Sequence, residues 1–149
     1  MPIRNVRKSD IPSLIEIVKK MKKWFEPDVP VRIKSSFRNM KGYVFTERGK
    51  VVGFILYKIW KQTAEIKWFA VSEGKHSKGI GTRLYKKVEI DMKLKKINDI
   101  TVTTLAPSTP YKPYESTRRF YNNKGFKKMR IDKKYWKQKY DRLVLIKEL

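Results

Sequence analysis

The feature that most constrains the fold is a strand-like apolar segment that meets an amphipathic helix across a short turn containing glycines. Residues 64–71 are rich in aromatic and β-branched side chains, which pleated strands favour. Residues 79–95 predict a helix, because their apolar positions recur at helical spacing. Its buried stripe consists of Ile80, Leu84, Val88 and Met92. A strand that leads into such a helix and then into another strand indicates a crossover within a mixed α/β domain.

The elements around this segment complete the pattern. Ser9 or Asp10 can cap a first helix, with Pro12 near its first turn. Pro27 and Pro30 interrupt the apolar pattern before a second, weaker helix. In the first predicted helix, Ile11, Leu14, Ile15, Val18 and Met21 fall on one face, and later helices are predicted over residues 31–40, 79–95 and 115–123. The predicted strands cover residues 3–6, 43–47, 51–60, 64–71, 100–105, 126–131 and 142–146.

Composition excludes several classes of chemistry. The chain of 149 residues has the usual size of one domain, so residues 1–149 are expected to form a single domain. It has no cysteine and one histidine, which excludes disulfides, thiolate zinc sites, a cysteine nucleophile and multi-histidine metal sites. No metal is therefore expected. No apolar run approaches the ~20 residues of a membrane span, and the N-terminus lacks a signal-peptide layout. A soluble, cytoplasmic protein without membrane contact is expected.

The chain is strongly basic, with 37 Lys and Arg against 14 Asp and Glu and a net charge of +23. Such a field attracts polyanions, so nucleic acid and a phosphorylated cofactor are both candidate partners. Residues 133–140 interleave lysines with aromatic residues and could contact phosphates and stack on bases. A lysine-rich composition is also typical of proteins from hyperthermophiles. The sequence leaves these interpretations open.

The turn at residues 72–82 has the chemistry of a phosphate site. The first turn of a helix has unpaired N–H groups and the positive end of the dipole. Gly79 and Gly81 allow the backbone to approach a bulky diphosphate, and Lys75 and Lys78 add positive charge. The turn is neither a Walker loop nor the dinucleotide fingerprint. On spacing alone, an ordinary strand-to-helix turn remains the alternative.

The stretch His76-Ser77-Lys78-Gly79-Ile80-Gly81 resembles the central motif of the GNAT superfamily of N-acetyltransferases, Gln/Arg-x-x-Gly-x-Gly/Ala. It departs from that motif at His76. The resemblance implies that backbone amides of this loop bind the pyrophosphate of acetyl-coenzyme A, and that main-chain groups of the preceding strand bind its pantetheine arm. The implied cofactor-binding residues are Phe69, Ala70, Val71, His76, Ser77, Lys78, Gly79, Ile80, Gly81 and Thr82.

A second segment, residues 117–126, is similar to the helix and strand near the end of the same family, where Phe/Leu-Tyr-x-x-x-Gly-Phe recurs. The resemblance gives Tyr121 the role of protonating the departing coenzyme A thiolate; a core tyrosine is the alternative. Tyr114 stands where the family often has an asparagine. In element order the resemblance covers nearly the whole chain. It implies a GNAT-like α/β (α+β) fold, with a mixed, mostly antiparallel sheet of six to seven strands and about four helices.

Acetyl transfer to an amine needs a neutral nitrogen, and a lysine-type amine with a pKa of about 10.4 is almost entirely protonated at pH 7. A positioned carboxylate can take that proton. Glu65 is the candidate base, because Ala64-Glu65-Ile66 resembles the Ala-Glu-Ile of the histone acetyltransferase branch at the same spacing from the glycine motif. The alternative is a solvated carboxylate paired with a nearby lysine.

The predicted function is therefore an acyltransferase that moves an acetyl group from acetyl-coenzyme A to a primary amine, by direct attack in a ternary complex. The acceptor can be a protein lysine, a protein N-terminus or a small amine, and residues 24–40 and 106–113 are expected to wall its site. Two alternatives remain: a nucleic-acid-binding basic protein, and a GNAT-like protein that binds coenzyme A without catalysis. Many GNAT proteins form homodimers, and nothing in the sequence decides this.

Overall fold

The computed structural model describes residues 2–149, except for the side chain of Ser77, and they form a seven-stranded sheet with helices on both faces. The strands are β1 (Ile3–Asn5), β2 (Lys41–Glu47), β3 (Lys50–Trp60), β4 (Thr63–Val71), β5 (Asp99–Leu105), β6 (Lys127–Trp136) and β7 (Tyr140–Glu148). The helices are α1 (Ile11–Lys20), α2 (Val29–Ser36), α3 (Ile80–Leu94) and α4 (Lys112–Asn123).

The sheet has the order β1-β2-β3-β4-β5-β7-β6 and is mixed and mostly antiparallel, as predicted. The parallel pair is β4 with β5, which α3 connects as the predicted crossover. The tight turn between β2 and β3 has positive φ angles of 52° at Arg48 and 76° at Gly49. Two consecutive residues in that region match the twist of the strands they join.

Two helix starts differ from the prediction for the same reason. α2 begins at Val29 instead of residue 31, and α4 begins at Lys112 instead of residue 115. In each helix a proline occupies one of the first two positions, namely Pro30 and Pro113. A proline there costs nothing, because the N–H it lacks would have no partner inside the helix. Pro30, interpreted as a break, instead helps to start α2.

Two apolar clusters hold the helices on the sheet. The predicted α3 stripe is buried against one face, together with Tyr85. α1 and α2 pack on the other face over β2, β3 and β4. In α1, Ile17 is buried. Ile15, which was placed on the core-facing side in its stead, is half-exposed.

Ser9 or Asp10 was expected to cap α1; Asp10 occupies the cap position, but its side chain makes no capping bond to that helix. Its carboxylate instead accepts two hydrogen bonds from the Arg4 guanidinium, at 2.8 and 2.9 Å, and one from the Arg7 N–H at 2.7 Å. These bonds, led by those from Arg4, hold the pKa of Asp10 below its usual value although burial opposes the shift. The pair ties β1 to the start of α1.

β4 and β5 pair along only part of their lengths. The parallel ladder joins residues 63–66 of β4 to residues 99–102 of β5. Beyond Ile66, β4 continues to Val71 beside β3, while β5 continues to Leu105 beside β7. The β3–β4 register shifts where Leu56 faces Trp68 and Tyr57 faces Ile66, which leaves Lys67 as an extra residue in β4. A bulge bends its strand, and here it lies where β4 leaves β5.

Candidate active site

The loop after β4 leads into α3, and the start of this helix lies at the end of the cleft between β4 and β5. A 3-10 turn, Glu73–Lys78, leads into Gly79, which is left-handed with φ 73°. The first hydrogen bond of α3 runs from the Arg83 N–H to the Gly79 carbonyl, at 3.1 Å. The N–H groups of residues 80–82 precede that bond, and no side chain that the structure describes caps the helix. They therefore point at an open position at the positive end of the helix dipole.

The two glycines of this loop differ in what they contribute. Gly79 has a positive φ, which favours glycine, and apart from its chain neighbours no described atom lies within 4 Å of where a Cβ would stand. A Cβ on Gly81 would meet the rings of Phe69 and Phe120 at 3.6 and 3.7 Å, which are ordinary contacts. Packing within the protein therefore does not require Gly81 to be glycine. Open space in front of Gly79 fits a bulky diphosphate.

His76 is tied back to the end of β4. Its Nε2 lies 2.5 Å from the Val71 carbonyl oxygen and must donate to it, because a carbonyl can only accept. The ring also packs edge-on against Trp24, with centroids 5.7 Å apart. The side chain at the position where the family motif has Gln or Arg therefore holds the loop to the strand. The side chain of Ser77 lies outside what the structure describes.

The two lysines of the loop are not equivalent. Lys75 pairs with Glu47 at 2.9 Å, and this hydrogen bond is the main reason that the pKa of Glu47 is lowered. Lys78 is exposed. That either lysine adds charge to a phosphate site stays a prediction, and the ion pair with Glu47 makes Lys75 the less available of the two.

The other cofactor-binding candidates lie along the open edge of β4. Phe69, Ala70 and Val71 pair with β3 on one side, and β5 does not pair with them on the other. Across the gap, Thr104 lies in the part of β5 beyond the parallel ladder. It is buried, and its Oγ1 has no hydrogen-bond partner among the described residues. An orphaned buried hydroxyl beside an unpaired strand edge is the chemistry that a ligand with amide and carbonyl groups would satisfy.

Tyr121 lies on α4 and is buried. Its ring meets those of Phe126 and Phe120 edge-on, with centroids 5.2 and 5.3 Å apart. Among the described residues none forms a hydrogen bond to its hydroxyl. Burial raises the pKa of Tyr121, so the hydroxyl stays protonated across the whole range in which an amine acceptor is neutral enough to react. The packing is that of a core tyrosine, and the proton-donor role stays a prediction.

Glu65 lies on the opposite face of the sheet from Tyr121. Its neighbours Ala64 and Ile66 belong to the α3-side cluster, so strand alternation turns Glu65 toward the α1 and α2 side. Its carboxylate is 39% exposed and pairs with Lys67 Nζ at 3.4 Å. The expected alternative, a carboxylate paired with a nearby lysine, is therefore present in the structure. Glu65 also lines a surface depression of about 400 Å³.

A junction of aromatic residues beside the loop was not predicted from the sequence. Trp24 Nε1 donates to the Pro113 carbonyl at 3.1 Å, and the Tyr114 hydroxyl donates to the Trp24 carbonyl at 2.5 Å. The Tyr111 hydroxyl donates to the Lys23 carbonyl at 2.6 Å. Burial raises the pKa of Tyr114 to about 12. The predicted walls at residues 24–40 and 106–113 therefore touch each other, and the tyrosines hold them together.

No group of three His, Cys, Asp or Glu side chains in residues 2–149 could hold a metal ion. No helix within those residues has both the length and the apolar character to cross a membrane.

A helix start without a side-chain cap that opens on a cleft between two diverging parallel strands is an arrangement typical of sites for phosphorylated ligands. A comparison with known protein families identifies the class of protein. The model of the acetyltransferase (GNAT) family matches residues 11–126, and the chain belongs to that family. It is therefore related to acyltransferases that use acetyl-coenzyme A.

Solved structures share the fold over the whole chain. A putative GNAT acetyltransferase from Desulfovibrio desulfuricans is 21% identical, with a TM-score of 0.84 and coverage of 98% of this chain and 97% of that one. The ribosomal-protein-S18-alanine N-acetyltransferase of Escherichia coli is 14% identical, with a TM-score of 0.78 and coverage of 98% and 92%. An aminoglycoside 6′-N-acetyltransferase complexed with coenzyme A is 14% identical, with a TM-score of 0.77 and coverage of 99% and 97%. The curated proteins contain no match.

Proposed function

We propose that this protein is an N-acetyltransferase that transfers the acetyl group of acetyl-coenzyme A to a primary amine by direct attack in a ternary complex. The observation that carries the proposal is the uncapped start of α3 at Gly79, which opens on the unpaired edge of β4. Membership of the GNAT family supports the same chemistry.

The loop and the strand edge would bind two different parts of acetyl-coenzyme A. The N–H groups around residues 76–82 would bind the pyrophosphate, with His76, Ser77, Lys78, Gly79, Ile80, Gly81 and Thr82 contributing backbone. The main-chain groups of Phe69, Ala70 and Val71 that face away from β3, apart from the Val71 carbonyl that His76 already binds, would hydrogen bond to the pantetheine amides. The donor supplies an activated acetyl thioester. Holding it beside an amine removes most of the entropic cost of bringing the two together.

Two side chains would move protons. Glu65 would take the proton of the acceptor ammonium, which leaves a nitrogen lone pair for attack. Tyr121 would deliver a proton to the sulfur that leaves. They lie on opposite faces of the sheet, so the acceptor would enter on the α1 and α2 side while α4 supplies the acid.

Calorimetric titration with acetyl-coenzyme A tests the site. Gly79→Glu places a side chain and a negative charge in the open space before the helix start. Asn5→Glu makes the same charge change on the exposed edge strand β1, as a control. We expect micromolar binding by the parent and by Asn5→Glu, and a loss of at least tenfold for a folded Gly79→Glu. No binding by a well-folded parent would refute the proposal.

A second candidate function rests on β6. This edge strand is exposed along nearly all of its length, and Tyr135 is 51% exposed beside Lys133 and Lys134. Cations interleaved with an exposed ring are typical of single-stranded nucleic-acid sites. Binding of a labelled oligonucleotide that weakens steeply with salt would support it. Coenzyme A binding without turnover of any amine would instead indicate a family member without catalysis.

A further inference from the structure

The depression beside Glu65 has a specific chemical lining. It lies between the end of α2 and the β3–β4 hairpin and has a volume of about 400 Å³. Its charged and aromatic lining residues are Lys58, Trp60, Glu65 and Lys67. Asn39 and Met40 close it from the segment after α2. The depression is large enough for an amine together with the groups next to it.

Two cations surround the single carboxylate. Lys58 faces Glu65 directly across the β3–β4 ladder, so the two side chains share one face of the sheet. Lys67 Nζ lies 3.4 Å from the Glu65 carboxylate. Glu65 is the one acidic residue in the lining, so the local charge is positive, and it becomes more positive when Glu65 takes a proton. The molecule as a whole carries +23.

Trp60 adds an apolar surface at the rim. It is 70% exposed, although large aromatic side chains are normally buried well beyond that. Trp60 follows Lys58 by two residues in β3, so both project from the same face. An exposed indole next to two ammonium groups can pack against the uncharged part of a bound molecule while the lysines hold an anion.

We propose that the acceptor is a primary amine flanked by carboxylates. In this arrangement Glu65 faces the amine, Lys58 and Lys67 hold a neighbouring carboxylate, and Trp60 covers the chain between them. An acceptor flanked by further cations would be repelled both locally and by the net charge of the protein. The inference rests on the proposed function, because it takes the Glu65 side of the sheet as the acceptor side.

Acceptor peptides that differ only in the charges beside the lysine test this proposal. Three blocked pentapeptides would carry one central lysine flanked by aspartate, alanine or arginine, and free lysine would serve as a small carboxylated amine. We expect kcat/KM to be at least about tenfold higher for the acidic peptide than for the basic one at low salt, with the alanine peptide between them. Calorimetry with coenzyme A present should give Kd values in the same order. Preference for free lysine over the acidic peptide would assign the carboxylate to a small molecule.

Two variants separate the depression from the overall charge. Lys58→Glu reverses one charge in the lining, whereas Lys19→Glu makes the same change on the exposed face of α1. We expect Lys58→Glu to reduce the acidic-to-basic ratio at least fivefold, and Lys19→Glu to leave it nearly unchanged. Equal effects of the two variants, or no preference in the parent, would overturn the inference.

The proposed function stands if the alanine peptide is acetylated at the same rate as the acidic one, and in that case only the inference fails. If coenzyme A does not bind at all, the proposed function fails first. The peptide Kd values report on the depression even without turnover, because they do not depend on chemistry.

Discussion

Gly79 and Gly49 have nearly the same backbone conformation in two different settings. Their φ angles are 73° and 76°, and apart from the chain neighbours no described atom lies within 4 Å of a Cβ built on either residue. One stands before α3 and the other in the β2–β3 turn. Replacing either with alanine therefore costs similar strain, while only the methyl on Gly79 stands in the proposed pyrophosphate site.

We expect Gly79→Ala and Gly49→Ala to lower the free energy of unfolding by similar amounts, about 1–2 kcal/mol, because both force a Cβ into the left-handed region. Gly79→Ala should also weaken acetyl-coenzyme A binding severalfold, and Gly49→Ala should not. Denaturant unfolding and calorimetry measure the two effects. Equal weakening of binding by both variants would place the phosphate elsewhere.

Tyr121 can be distinguished from an ordinary core tyrosine by comparison with Tyr85. The Tyr85 hydroxyl donates to Glu89 at 2.9 Å, whereas the Tyr121 hydroxyl has no partner among the described residues. We expect Tyr85→Phe to destabilise by about 1–2 kcal/mol and Tyr121→Phe to leave stability nearly unchanged. Tyr121→Phe should lower kcat by about a hundredfold with donor binding intact. Unchanged kcat would leave Tyr121 with a packing role alone.

At the scale of elements, the divergence of β4 from β5 creates the cleft. We expect Thr104→Val to preserve or slightly raise the stability of the free protein, because the replaced hydroxyl has no hydrogen-bond partner. The same change should weaken acetyl-coenzyme A binding severalfold. Denaturant unfolding of the free protein measures the effect on stability, and calorimetry measures the effect on acetyl-coenzyme A binding. A less stable variant with unchanged binding would show that the hydroxyl serves the fold.

The tie between β1 and α1 predicts how stability depends on pH. The pKa of Asp10 lies below its ordinary value of 3.8, mainly because Arg4 donates hydrogen bonds to it. A lowered pKa in the folded state means that the pair stabilises the protein above about pH 4, and that this contribution is lost as the pH falls through the native pKa. Arg4→Leu should lower stability at pH 7 by about 1–3 kcal/mol. It should also flatten the decrease of unfolding free energy between pH 5 and pH 2.

Element types followed from local periodicity, which is why the strands, the α3 stripe and the crossover could be predicted. Pro30 and Pro113 moved two helix starts, because a proline signals a break equally well before or inside the first turn. The family resemblance implied that main-chain groups of β4 bind the pantetheine arm, but the cleft itself was not predicted, since the point where β4 stops pairing with β5 depends on contacts between distant segments. The Trp24 junction could not be predicted for the same reason: its partner Pro113 lies 89 residues away.

For the molecule as a whole, many of the few acidic side chains are already paired with cations at or near the surface. Glu47, Glu89, Asp132 and Asp141 all pair with lysine or arginine. The remaining cations leave a positive field that reaches the solvent. The association rate of the anionic donor should therefore fall as salt rises, while its dissociation rate changes less. Stopped-flow binding between 0.05 and 0.5 M salt measures both.

Trp24 bonds to the start of α4, and its ring touches His76 of the phosphate loop. The same residue therefore belongs to a wall of the proposed acceptor entrance and to the support of the donor loop. If one substrate orders that loop, the affinity for the other substrate changes, and the coupling free energy must be the same in both directions. The expected signature is kinetic: the two substrates would add in a preferred sequence, with acetyl-coenzyme A first, and the Trp24 indole would report the first step through its fluorescence.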